Sequence, residues 1–176
     1  MERPTGRWRR RLDVVSVVLF LTAAAYFAYR IVASTSHPPP GTKAVYRQGE
    51  ALEDIPELRL GKAGLTAIVV ISPACRYCKE SLPLYRELGA IARTPRGGFR
   101  IVFVAAGDES ATRQLLDEGG ISGYELLSRP TRLRVGAVPT VLLADPAGNV
   151  NGIWTGLLEG SSRSDLLARA RAAADL

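Results

Sequence analysis

Ala67-Ile68-Val69-Val70-Ile71-Ser72-Pro73-Ala74-Cys75-Arg76-Tyr77-Cys78-Lys79 decides the fold of this chain. The run up to Ile71 is apolar and rich in β-branched residues, too short to cross a bilayer and continuous enough for a central strand buried on both faces. Pro73 and Ala74 make a turn. Beyond it Leu82 and Tyr85, then Leu84, Leu88 and Ile91, recur at helical spacing toward Ala92, and Pro83 is expected to kink that helix. The chain's two cysteines therefore sit between a buried strand and the first turn of a helix.

Short apolar runs alternate with amphipathic segments on either side, an α/β pattern. Ile101 to Ala105 reads as a second buried strand, followed by a short helix from Glu109 to Glu118 that ends at Gly119-Gly120. Tyr124 to Leu127 makes a short third strand, and Pro130 to Val135 a helical turn leading to Gly136. Thr140 to Ala144 and Val150 to Trp154 flank Asp145-Pro146-Ala147-Gly148-Asn149, turn chemistry for two antiparallel strands. Ser161 to Ser164 supply caps for a last helix carrying Leu166, Leu167 and Ala170.

At a helix start, unpaired backbone N–H groups favour negative charge, so Cys75 is expected to be held partly as thiolate, with Arg76 adding a cation nearby. Cys78, one turn further and in register with Leu82 and Tyr85, points to the packed face and stays protected. Two intervening residues bring the sulfurs within bonding reach, so a disulfide forms and opens with little backbone movement. Cys75 is then the attacking thiol and Cys78 the resolving one. A structural disulfide would close too small a loop to stabilise much. Half of an intermolecular metal site would need two further ligands, and the single histidine, His37, lies in a spacer.

At these residues the chain resembles thioredoxin-fold proteins, and specifically the membrane-anchored TlpA/ResA-like redoxins. The likeness covers roughly Tyr46 to Ala174. Its marks are Ser72 to Lys79, Pro83, the extra strand and helix between Phe99 and Leu127, and Gly136-Ala137-Val138-Pro139-Thr140. The resemblance implies a central mixed sheet flanked by helices and thiol-disulfide exchange with exported proteins, more as reductant than oxidant. It also implies that Pro139 is a cis-proline facing the dithiol, so that the backbone of Val138 can pair with an extended client. Ala74 stands where many thioredoxins carry tryptophan, and Val69 where they carry a buried acid. Related anchored redoxins place a glutamate at the position of Ser81; here Glu80 is one earlier, either a substitute base or a solvated helix residue. Arg76 and Tyr77 are candidates for tuning the pair. The resemblance implies no cofactor beyond the Cys75/Cys78 dithiol and no metal.

The charge pattern places this domain. The net charge is +6, but residues 1 to 33 hold +4 of it and the remainder only +2. No basic stripe with interleaved aromatics supports nucleic acid as a partner. Arg7, Arg9, Arg10 and Arg11 instead precede sixteen uncharged residues, Val14 to Tyr29, then Arg30 and Ile31 to Ala33. Residues 12–33 read as one transmembrane anchor with the basic segment 1–11 cytoplasmic, a Pro/Ser linker over 34–45, and a domain from 46 to 176 in the extracytoplasmic space. A cleaved signal peptide is the alternative, and either outcome exports the domain to an oxidising side, the periplasm of a bacterial-type cell. An unidentified membrane electron donor is implied alongside exported clients.

The composition, 47% hydrophobic and 23% charged over 176 residues, excludes disorder and a multi-span membrane protein. Two rivals remain on the same fold. A copper-site assembly factor ordinarily uses wider cysteine spacing with a placed histidine, and this chain has neither. A non-catalytic binding module would keep the fold without turnover.

Overall fold

Strand β1, Leu65–Ile71, occupies the middle of a five-stranded mixed sheet. The computed structural model describes residues 16, 19, 20, 22, 26, 45–52, 55–61, 63–95, 97–129 and 132–175. The chain divides into two units, Met1–Thr42 and Lys43–Leu176. Of the first, Ser16, Leu19, Phe20, Thr22 and Tyr26 are described, all helical and exposed. The expected anchor at 12–33 otherwise lies outside the described residues, as do the basic segment 1–11, His37 and nearly all of the linker 34–45. Among the described residues, no helix is long and apolar enough to cross a membrane.

In the second unit β1 leads through α1, Arg76–Glu80, and α2, Leu82–Ala92, to β2, Phe99–Ala105. Next come α3, Glu109–Glu118, and β3, Glu125–Ser128, then the hairpin of β4, Thr140–Ala144, and β5, Val150–Thr155, and finally α4, Gly160–Ala174. The strand order is β3-β2-β1-β4-β5. β2 pairs parallel with β1 and β3 with β2, while β4 pairs antiparallel with β1 and β5 antiparallel with β4.

β1 and β2 both begin two residues before their densest apolar runs, because Leu65 pairs with Phe99 and its N–H donates to the Gly98 carbonyl at 2.9 Å. Gly98 is required there: a Cβ would stand 2.0 Å from the Ala173 carbonyl at the end of α4. The alternation of β1 divides the core. Ala67, Val69 and Ile71 pack with Cys78, Tyr85, Leu88, Phe103, Leu116, Leu166 and Ala170 under the helices. Ile68 and Val70 pack with Val102, Val104 and Leu142 beneath chain that is largely irregular, contributing Tyr46, Leu52, Leu58, Leu133 and Val135. Full burial of each large aliphatic contributes about 1.5–3 kcal/mol, which is what pins these two layers to the sheet.

Four local expectations differ from the structure. Pro83 does more than bend a helix: α1 ends and α2 begins at Ser81, with Pro83 in the first turn of α2. Proline offers no N–H to the Lys79 carbonyl and its ring crowds that oxygen, so the ladder is broken at this point. The segment expected as a helical turn, 130–135, is irregular over its described residues. Leu133 and Val135 are buried there, and the Arg129 guanidinium donates to the Val135 carbonyl at 2.7 Å, so packing and a side chain replace helical bonds. The third strand is shifted one residue, to Glu125–Ser128, because Tyr124 turns its ring edge-on to Phe103, 5.8 Å between centroids. The last helix starts at Gly160, ahead of the serines expected to cap it, and Ser164 donates back to the Gly160 carbonyl. The left-handed φ of Gly160, 53°, turns the chain into that helix.

Candidate functional site

The site is built at the end of β1. After Ile71 the chain turns through Ser72, Pro73 and Ala74, closed by the Cys75 N–H donating to the Ser72 carbonyl at 3.1 Å. Cys75 keeps an extended backbone, φ −86° and ψ 118°, and occupies the cap position of α1. Its Sγ accepts from the Cys78 N–H at 3.4 Å, satisfying one of the donors that a helix start leaves open. Both cysteines are free thiols; Cys75 is partly exposed and Cys78 fully buried.

The antiparallel pairing of β4 with β1 brings in the second half of the site. Thr140 lies opposite Val70, so the residues just before β4 reach the place where β1 gives way to the cysteines. The Val138-Pro139 peptide is cis. The Cys75 thiol donates to the Val138 carbonyl at 3.4 Å. Pro139 is buried, and its carbonyl accepts from the Gly156 N–H at 2.8 Å. Thr140 Oγ1 donates to the Ala137 carbonyl at 2.8 Å and lies 3.2 Å from Thr155 Oγ1, which fixes this loop to both strands of the hairpin. The Val138 N–H has no acceptor among the described residues.

The two sulfurs differ in environment. Burial pushes the Cys78 thiol up to about 12, the adjacent Cys75 adds to the rise, and the Ser72 N–H, donating to Cys78 Sγ at 3.5 Å, opposes it. The sheet beneath Cys78 is apolar. Val69 is fully buried in the same cluster.

Arg76 turns away from the sulfurs. Its Nε donates to Glu80 Oε1 at 2.7 Å across one helical turn, and its side chain is 85% exposed. That pairing raises the Arg76 pKa. Glu80 is thus engaged on the exposed side of α1, two residues and more than half a helical turn around from Cys78. Tyr77 is half-exposed, while its carbonyl accepts from the Ser81 hydroxyl at 2.7 Å. The Ser72 N–H was not legible as a sulfur partner, since a backbone contact carries no residue signature, whereas the Val138 backbone was expected beside Cys75 only through the resemblance that made Pro139 cis. Tyr85 was legible only as a packing residue at helical spacing. Among the described residues, no group of three or more His, Cys, Asp or Glu side chains could hold a metal ion.

A proposed protein disulfide isomerase from Bacteroides thetaiotaomicron superposes with a TM-score of 0.60 at 16% identity, covering 75% of this chain and 92% of that one. A proposed thiol:disulfide interchange protein DsbE from Chlorobium tepidum gives 0.57 at 17% identity, over 74% and 99% of the two chains. The thioredoxin domain of a thiol-disulfide oxidoreductase from Bacteroides vulgatus gives 0.52 at 16% identity, over 70% and 97%. No protein-family model and no curated protein sequence matches the chain. The structural likeness establishes a thioredoxin-like fold for the second unit.

Proposed function

We propose that this chain is a membrane-tethered thiol-disulfide oxidoreductase of the TlpA/ResA-like kind, acting outside the cytoplasmic membrane on exported proteins, with reduction as its favoured direction. The observation that carries the reading is the asymmetry of the dithiol: a partly exposed Cys75 sulfur at a helix start, facing the Val138 carbonyl, backed by a fully buried Cys78. The structural neighbours, several of them described as thiol-disulfide enzymes, support it. The arginine-flanked apolar run near the N-terminus supports the location.

The chemistry proceeds in two exchanges. The Cys75 sulfur, as thiolate, attacks one sulfur of a client disulfide; the Cys75-client bond forms, the client S–S bond breaks, and the departing sulfur leaves as thiolate. Cys78 then attacks Cys75 Sγ. The intramolecular disulfide forms, the Cys75-client bond breaks, and the client leaves carrying two electrons. The protons released by Cys75 and Cys78 balance those taken up by the two client thiols. A membrane dithiol donor must return the pair to its reduced state. The free Val138 N–H offers an extended client one main-chain bond beside the sulfur, which binds backbone without reading much side-chain sequence.

Turnover of insulin disulfides by the purified domain, together with equilibration in defined glutathione mixtures, tests this reading. A potential nearer about −270 mV than about −120 mV is expected; the higher value would make the protein an oxidant.

A further inference from the structure

Tyr85 carries a buried hydroxyl that the resting fold leaves without a hydrogen bond among the described residues. The residue is 1% exposed, and its hydroxyl has no hydrogen-bond partner among the described residues. Buried hydroxyls are nearly always paired, so an orphan calls for a reason. Packing supplies none: the ring sits edge-on to Phe103, centroids 5.7 Å apart, a contact phenylalanine would make equally well. The Ser81 hydroxyl is close enough to influence Tyr85, yet it donates to the Tyr77 carbonyl and does not reach bonding geometry with the tyrosine.

The position of the ring suggests what the oxygen is for. Tyr85 follows Cys78 by seven residues, across the Ser81 junction between α1 and α2, and both are buried in one cluster with Val69, Ile71 and Phe103. Side chains on a helix lean toward its N-terminus, which carries the Tyr85 ring back toward α1 and the dithiol. Burial is the main cause that raises the Tyr85 pKa, and charge on either thiol adds a smaller rise, as expected of groups sharing a poorly screened interior. The sheet offers this interior no acid, and Glu80 is tied to Arg76 outside it.

We propose that Tyr85 is a positioning residue for resolution: its hydroxyl donates a hydrogen bond to the sulfur of Cys78, directly or through one water, when that sulfur becomes a thiolate. This rests on Cys78 being the resolving thiol. In that step Cys78 gives up its proton and its sulfur attacks Cys75 Sγ. The Cys75-Cys78 bond forms as the Cys75-client bond breaks, and the client sulfur leaves with the electron pair and takes up a proton. A bare thiolate in this apolar setting is costly, and a donor that pairs only with the charged form lowers the cost of making it.

Tyr85→Phe tests the proposal, because it removes one oxygen and leaves the ring. Stopped-flow measurement with a chromophoric aromatic disulfide separates attack by Cys75 from release of the second thiol by Cys78. Resolution is expected to slow by about tenfold or more, as for loss of a hydrogen bond to a charged group. The first exchange keeps its rate and the thermal midpoint stays level or rises. In the Cys75→Ser background, the 240 nm thiolate absorbance of Cys78 should move to higher pH when Tyr85→Phe is added. Equal resolution rates, an unmoved Cys78 titration, or parallel slowing of both steps with a lowered midpoint would overturn it. Absence of any mixed disulfide on Cys75 in Cys78→Ser would instead remove the exchange reading itself, and the Cys78 titration would still decide whether Tyr85 reaches that sulfur.

Discussion

The thiol of Cys75 donates to the carbonyl oxygen of Val138 at 3.4 Å, across 63 residues of sequence. This contact joins the two halves of the site, one supplied by the turn after β1 and the other by the loop before β4. It exists because β4 is laid antiparallel on β1 with Thr140 opposite Val70.

Burial of Cys78 makes the reduced protein sensitive to alkali. Its thiol is pushed from an ordinary value of 9.0 up to about 12 in the folded state, so folding favours the neutral form. That contribution is fully present below pH 9 and is lost as the pH rises toward 12, at up to about 1.4 kcal/mol per pH unit. Tyr85, raised by the same burial, acts with the same sign. Denaturant titrations of the reduced protein should show stability falling across this window, with a shallower fall in Cys78→Ala. Identical slopes in the two proteins would contradict the assigned burial.

Glu80→Gln should leave turnover within about twofold of the unaltered protein, and Arg76→Ala likewise. The two side chains pair with each other on the exposed face of α1, and exposed ion pairs contribute little. A tenfold loss in Glu80→Gln insulin turnover would return the task of proton acceptor to that carboxylate.

Leu133→Ala should destabilise the fold by about 2–5 kcal/mol, read from a shifted denaturation midpoint, because Leu133 is 2% exposed within the second core layer. A change under about 0.5 kcal/mol, typical of surface positions, would mean that the segment around it is not part of the core.

That segment also marks where sequence reasoning stopped. β1, β2 and the β4-β5 hairpin were legible because each is an apolar run bounded by turn residues, and the hairpin turn is held as its chemistry suggests, with Asp145 accepting from the Asn149 N–H at 2.8 Å. The cysteine pair at a strand-to-helix junction was legible for the same reason. Residues 132–135 were not, since Leu133 and Val135 bury themselves in irregular chain whose bonds come from Arg129 and Tyr46 rather than from a repeating pattern. The covering of the sheet's second face by Tyr46, Leu52 and Leu58 was hidden likewise. At the site, local spacing suggested a cation beside Cys75, but the one-turn separation of Arg76 from Glu80 favoured their own pairing.

The proposed location is open to a direct check with the full chain. Cys75 is partly exposed, so a membrane-impermeant maleimide should label it in intact spheroplasts without lysis. Labelling only after lysis would place the domain in the cytosol and refute the export reading.

In the proposed exchange Cys75 attacks and Cys78 resolves. Mass spectrometry of Cys78→Ser and Cys75→Ser, each incubated with a disulfide-bonded peptide, tests it most directly. A stable peptide adduct is expected on Cys75 in the first variant and none in the second. An adduct on Cys78 in Cys75→Ser, or no adduct in either protein, would contradict it.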